Sequence, residues 1–197
     1  MRNMSVIRTF IAIALPRAIQ SKLDEVAHSL KNEQTQAVRW VTGKNIHLTL
    51  KFLGEVEEVK IEAISQAIKV AGQHFDSFEL SVSGLGTFPN LRRPRVIWVG
   101  VQAPQALPQL ANAIDLGTQS LGFPGEERPF SPHLTLGRVS QNASPLEVQS
   151  IAQALSVARI GDLGSFNVTQ VTLFRSDLQP SGAIYTPLFA ASLNIPG

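Results

Sequence analysis

The chain has 197 residues, 44% of them hydrophobic and 16% charged, a balance that excludes a disordered tail and a collagen-like fibre. It contains no cysteine, which excludes disulfides, thiol nucleophiles, iron–sulfur clusters and cysteine-ligated zinc. Seventeen Lys+Arg against fifteen Asp+Glu give a net charge of +2, weak basicity that suits a phosphate-bearing ligand but not a protein that coats duplex nucleic acid.

Arg8–Leu15 is short, apolar and rich in β-formers, so it is expected to be a strand. Its apolar run from Phe10 is too short for a membrane span or a signal peptide, and a cytoplasmic address is expected. Pro16 suits a first helical position, and Ile19, Leu23, Val26 and Leu30 follow at helical spacing. Val38–Val41 and Asn45–Leu53 are expected strands, the second ended by Gly54. Ile61, Ile64 and Ile68 mark a second helix that Gly72 closes. Phe78–Ser83 alternates as a strand, Gly84–Pro94 is rich in Gly, Pro and Arg and is expected to be a loop, and Arg95–Val101 is a strand. Leu107, Leu110, Ile114 and Leu121 mark a third helix, and Pro132–Val139 a strand. Ser144 and Glu147 have the spacing of a capping box before a fourth helix. Phe166–Phe174 and Ala183–Ala190 are the last expected strands.

The order of elements recurs, and so do residues. His-Leu-Thr-Leu occurs at 47–50 and at 133–136, an offset of 86, and Ser-Phe at 77–78 and 165–166. An internal duplication follows, with repeats at approximately 5–90 and 91–190. Two repeats are too few for a solenoid. The expected fold is α+β and bilobal: two antiparallel-rich sheets face a central cleft across a pseudo-two-fold axis, with helices outside. No linker-like stretch separates the repeats, so one two-lobed domain over 1–197 is expected.

In a strand, residues i and i+2 share a face. His47 and Thr49 therefore share one face, and His133 and Thr135 another, while the leucines anchor each strand. If both pairs face one cleft, two imidazoles and two hydroxyls converge. Their pKa, near 6.5 when unperturbed, lets one ring act as base and the other as acid at neutral pH. In-line displacement at phosphorus needs that pair, and the threonine hydroxyls can hydrogen-bond the non-bridging oxygens. No metal is required by such chemistry. A single H-x-T would be weak evidence, since a lone strand histidine is usually structural. Two identical copies at matching places in a repeat are far more specific.

These segments resemble the two-histidine phosphoesterase superfamily, and within it the RNA 2′,3′-cyclic phosphodiesterases, also called 2′-5′ RNA ligases. The resemblance covers nearly the whole chain. It rests on Arg8–Ile13, on Asn45–Gly54 (NIHLTLKFLG), on Gly86–Pro89 and Arg93–Trp98, on Pro132–Arg138 (PHLTLGR), and on Leu173–Leu178 and Gly182–Tyr185. It implies metal-independent, cofactor-free hydrolysis of an RNA or nucleotide 2′,3′-cyclic phosphate to a 2′-phosphate. By the same likeness His47 is the acid that protonates the leaving 3′-oxygen and His133 the base that activates water; the identical motifs alone leave that assignment open. Family members also join RNA ends through a 2′-5′ linkage, with a 5′-hydroxyl in place of water.

The resemblance makes Arg138 a phosphate ligand. Strict alternation puts it opposite His133, unless Gly137 marks a bulge that turns it inward. Lys51 shares the His47 face if its strand is regular, and supplies either positive charge or a cleft rim. Arg93, with Arg92 and Arg95, is a candidate contact for an RNA tail; a solvated loop is the bland alternative. Phe52, Phe130 and Trp98 can stack a base or simply pack, and Trp40 is undecided. His28 and His74 have no partner motif and are expected to be structural or surface residues. Competing functions are a receptor that holds a terminal phosphate uncleaved, the same chemistry on an ADP-ribose cyclic phosphate, and a zinc hydrolase, which lacks a third ligand. RNA ends or nucleotides are the expected partners, and a monomer the expected state.

Overall fold

The computed structural model describes residues 5–180 and 182–195. Its first strand, β1 (Val6–Ala14), is buried on both faces: Ile7, Ile11 and Ile13 point one way, Phe10 and Ala12 the other. That double burial explains the continuous apolar run, because β1 is an interior strand of the four-stranded sheet β3-β1-β8-β9, with β3 at His47–Glu57, β8 at Gln170–Gln179 and β9 at Gly182–Ser192. The second sheet has the order β2-β6-β5-β4-β7. It consists of β2 (Val38–Trp40), β6 (His133–Val139), β5 (Val96–Gln102), β4 (Phe78–Phe88) and β7 (Asp162–Val168). Neighbours in both sheets run antiparallel.

Four helices cover the sheets. Helix α1 (Arg17–Leu30) buries Ile19, Leu23, Ala27 and Leu30 at three- and four-residue spacing and packs towards β6 and β7. Helix α2 (Ile61–Gly72) buries Ile64, Ile68 and Ala71 and lies on β8 and β9. Helix α3 (Ala106–Gln119) buries Leu107, Leu110 and Ile114 and packs on α2 and β3. Helix α4 (Pro145–Val157) begins with the expected capping box, in which the Glu147 amide donates to Ser144 Oγ and the Ser144 amide to Glu147. Buried apolar side chains from both sheets and all four helices form one contiguous cluster, which leaves out Phe10 and Ala12 of β1.

The two-sheet α+β architecture matches the sequence expectation, but the halves of the chain are interwoven. Strand β4, from the first half, pairs with β5, while β8, from the second, pairs with β1. Likewise α1 emerges from one sheet and packs on the other, and α3 does the converse. The offset of 86 runs through the register. His47 lies opposite Ala14 and His133 opposite Gly100; Phe10 pairs with Phe174, and Val96 with Phe88.

Four local expectations need correction. Gly54 does not end β3; its φ of +73° absorbs an irregularity and the strand continues to Glu57. Gly84, at φ +74°, does the same for β4, which runs on to Phe88 where a loop was expected. The single strand expected over Phe166–Phe174 is two, β7 and β8, broken at Thr169. Pro16 stands just outside α1, and its carbonyl accepts from the Ile19 and Gln20 amides.

Candidate active site

His47 opens β3 and His133 opens β6, and these two strands, one from each sheet, approach each other. The His47 ring stacks on Phe10 at 4.4 Å between centroids and meets the edge of Tyr185 at 5.1 Å. Its Nδ1 lies 3.0 Å from the Asn45 carbonyl. A carbonyl only accepts, so Nδ1 carries the hydrogen and Nε2 presents a lone pair. Asn45 is itself fixed: it ends a 3-10 turn (Gly43–Asn45) whose Gly43 amide donates to Asp24, and its Nδ2 donates to the Ala183 carbonyl at 2.8 Å. His133 repeats the pattern, with Nδ1 donating to the Ser131 carbonyl at 2.8 Å. Its ring meets the edge of Phe88 at 4.9 Å and lies 6.4 Å from Trp98.

Burial pushes the His47 pKa down to about 4; the Asn45 hydrogen bond opposes this and the Arg138 charge adds to it. The ring is therefore neutral at pH 7. Thr49 and Thr135 are half-buried on the same faces as their histidines, while Leu48, Leu50, Leu134 and Leu136 are buried beneath.

Both strands then carry a bulge at the same place. Leu50 has no partner between Thr49↔Ala12 and Lys51↔Ile11, and Leu136 none between Thr135↔Trp98 and Gly137↔Ile97. The bulge resets the alternation and returns Arg138 to the side of His133, as Gly137 suggested. Arg138 is exposed, and its charge acts on His47 and on Tyr185 from across the cleft. Phe52, its counterpart in the repeat, is 59% exposed and lies 6.2 Å from Phe10.

The same bulge overturns the placement expected for Lys51. It does not share the His47 face; it points into the core at 2% exposure. There it makes an ion pair with Asp115 and donates to the Pro124 carbonyl at 2.8 Å. It is not a cleft cation. Its counterpart is Gly137, where a Cβ would come within 2.8 Å of Val38 Cγ1 and 3.1 Å of the Trp40 ring. Arg93 is exposed on the turn after β4, where its amide donates to Asn90, five residues beyond Phe88. Phe130 and Trp40 pack against the core, and His28 and His74 are exposed.

Three residues near the site escaped the sequence reading. Phe10 lies under His47, Tyr185 stands at its edge, and Arg39 sits on β2 directly opposite Arg138. Phe10 falls in the apolar run of β1, and nothing local in the sequence points to the other two. Burial raises the Tyr185 pKa, with Arg138, Arg8 and Arg39 acting against the rise. Among the described residues no group of three His, Asp or Glu side chains is placed to hold a metal ion.

This duplicated, twin-histidine arrangement has known relatives. The chain matches the LigT like phosphoesterase family twice, over residues 13–98 and 99–185. It belongs to that family. It is 35% identical to the RNA 2′,3′-cyclic phosphodiesterase of Methanothermobacter thermautotrophicus, over 92% of this chain and 96% of that protein. The crystal structure of Escherichia coli LigT complexed with 3′-AMP superposes with a TM-score of 0.77 at 32% identity, covering 96% of this chain and 99% of that one. The crystal structure of TT0787 of Thermus thermophilus does so at 0.79 and 27%, covering 97% and 100%. The two family matches together run from residue 13 to residue 185. Among the described residues, no helix is long and apolar enough to cross a membrane.

Proposed function

We propose that this LigT-like phosphoesterase hydrolyses the 2′,3′-cyclic phosphate of RNA ends or nucleotides to a 2′-phosphate, with His47 and His133 as its acid–base pair. The observation that carries the reading is the repeat itself: two H-x-T strands, one from each sheet, with the same Nδ1–carbonyl bond and the same bulge. The curated relatives' name, RNA 2′,3′-cyclic phosphodiesterase, and the 3′-AMP held by the E. coli protein favour that substrate class. Water attacks phosphorus as one imidazole takes its proton. The bond from phosphorus to O3′ breaks, and the other imidazole supplies the proton that O3′ needs. Thr49 and Thr135 hydrogen-bond the non-bridging oxygens, Arg138 offsets the phosphoryl charge, and Phe52 and Arg93 flank the nucleotide. A 5′-hydroxyl in place of water gives a 2′-5′ linkage by the same displacement. The protein acts as a monomer in the cytoplasm.

The family likeness makes His47 the acid. A second reading, His47 as base and His133 as acid, is favoured by the low pKa of the His47 ring, which leaves Nε2 unprotonated at pH 7. Under the first reading the negative charge of the substrate has to overcome the desolvation that keeps the His47 pKa low, and so bring a proton onto the ring.

The decisive assay incubates the protein with a nucleoside 2′,3′-cyclic phosphate in EDTA and identifies the product by phosphorus NMR. A 2′-phosphate is expected, and His47→Ala and His133→Ala should each lower kcat by about 10²–10⁴-fold. Binding without turnover would show a receptor instead. A substrate with sulfur at the 3′-position settles the roles, because a thiolate leaves without a proton. The variant that has lost the acid regains rate on it, and the variant that has lost the base does not.

A further inference from the structure

Arg39 and Arg138 are register partners on β2 and β6. Directly opposed residues of an antiparallel pair point to one face with Cβ atoms about 4.5–5.5 Å apart, and like charges placed so are destabilising. Val38, before Arg39, is buried, and Trp40, after it, packs against the core over Gly137, so Arg39 points the other way, to the face of Arg138. Neither guanidinium is in an ion pair or a side-chain hydrogen bond among the described residues. Glu147, which shares a surface groove with Arg39, is committed to Ser144. Arg8, in the other sheet, has Glu55 across from it, whereas the residue across from Arg39 is another cation, Arg138.

We propose that Arg39 forms, beside Arg138, a subsite for a second phosphate, the one joining the cyclic-phosphate nucleotide to the next residue of an RNA strand. The proposal rests on the reading above and narrows it: the preferred substrate is an oligonucleotide end, not a mononucleotide. A flexible lysine would serve for diffuse attraction. Two arginines held side by side with all their donors unused suit phosphate oxygens, which accept bidentate bonds. The two sides of the site also differ in part. Both histidines have aromatic neighbours, Phe10 and Tyr185 at His47 and Phe88 and Trp98 at His133, but the register positions of Phe10 and Phe52 are taken in the repeat by Val96 and Arg138.

The test compares a dinucleotide ending in a 2′,3′-cyclic phosphate with the corresponding nucleoside 2′,3′-cyclic phosphate, and with a dinucleotide whose internal linkage is an uncharged methylphosphonate. The native protein should favour the charged dinucleotide in kcat/KM by at least about ten-fold, one charge-assisted phosphate contact's worth. Arg39→Ala should lower kcat/KM for it, through KM, about ten-fold more than for either of the others, and Arg39→Lys should recover part of that loss. With no ligand present, Arg39→Ala should melt no lower than the native protein, since it removes a repulsion. Equal losses on all three substrates would mean that Arg39 serves the cyclic phosphate itself, and equal native rates on all three would mean that no second subsite exists; either result overturns the proposal. Failure of the native protein to turn over any of them would instead overturn the catalytic reading beneath it.

Discussion

At the scale of single residues, burial keeps one histidine of the site neutral at pH 7. His47 lies between Phe10 and Tyr185, and its pKa stands at about 4 against 6.5 for the free side chain. Between those values the unfolded chain binds a proton that the folded one refuses, so stability rises with pH there and is lost on acidification. Lowering the pH from 7 to 4.5 should cost about 2–3 kcal/mol through this group alone. His47→Gln should remove that part of the acid sensitivity, which denaturant melts at the two pH values measure. An unchanged difference between them would show that His47 is not the group responsible. Arg138 pushes in the same direction as burial, from the other sheet. Arg138→Ala should therefore raise the His47 pKa in an NMR titration, and saturating phosphate should raise it in the native protein. A ring that titrates identically in Arg138→Ala would place Arg138 too far away to touch the same phosphate.

At the scale of elements, two strands are decided by one inserted residue each. The bulges at Leu50 and Leu136 turn Phe52 and Arg138 into the cleft and send Lys51 into the core. The lysine is neutralised by Asp115, whose carboxylate also accepts from Gln119 and from the Glu126 amide. Burial alone would raise the Asp115 pKa, but these bonds hold it below its usual value. The pair ties β3 to α3 and, through Pro124, to the segment leading towards His133. Lys51→Ala leaves a partly buried carboxylate without its counter-ion and should cost about 3–5 kcal/mol, while the double change Lys51→Met with Asp115→Leu should cost far less. Chemical denaturation of both variants checks this, and a single variant as stable as the native protein would show the pair to be idle. The same bulge marks the limit of what the sequence makes legible. Each H-x-T pair was readable because period two is local, and the glycine at 137 hinted at a break. Lys51 misled because a lysine at i+4 looks like a cleft cation as long as β3 is taken as regular. The repeat held the missing information: whatever bulge turns Arg138 inward must also act at Leu50, 86 positions earlier. Arg39 and Tyr185 were illegible for a different reason. They reach the site through pairings of β2 with β6 and β9 with β8, and no local pattern encodes partners so far apart in the chain.

At the scale of the whole molecule, duplication in sequence is not division in space. A cut near residue 90 separates the two repeats, yet it would leave the first half with β1 paired to β3 and with β2 and β4, which are not neighbours. The second half would keep the pairs β5-β6 and β8-β9. A lone two-stranded pair is marginal in water. The helices fare no better, because α1 would lose β6 and β7, and α3 would lose β3. The exchange also serves the site, since each histidine strand is held in a sheet containing strands from both halves, so neither half can shift without straining the other. Fragments 1–90 and 91–197, produced separately, should each show poor amide dispersion and no cooperative melt. Mixed from denaturant, they should recover both, and with them cyclic phosphodiesterase activity, because every missing pairing is supplied by the partner fragment. A cooperative melt and a well-dispersed spectrum from fragment 1–90 alone would mean that the repeat folds by itself and that the strand exchange adds nothing to its stability.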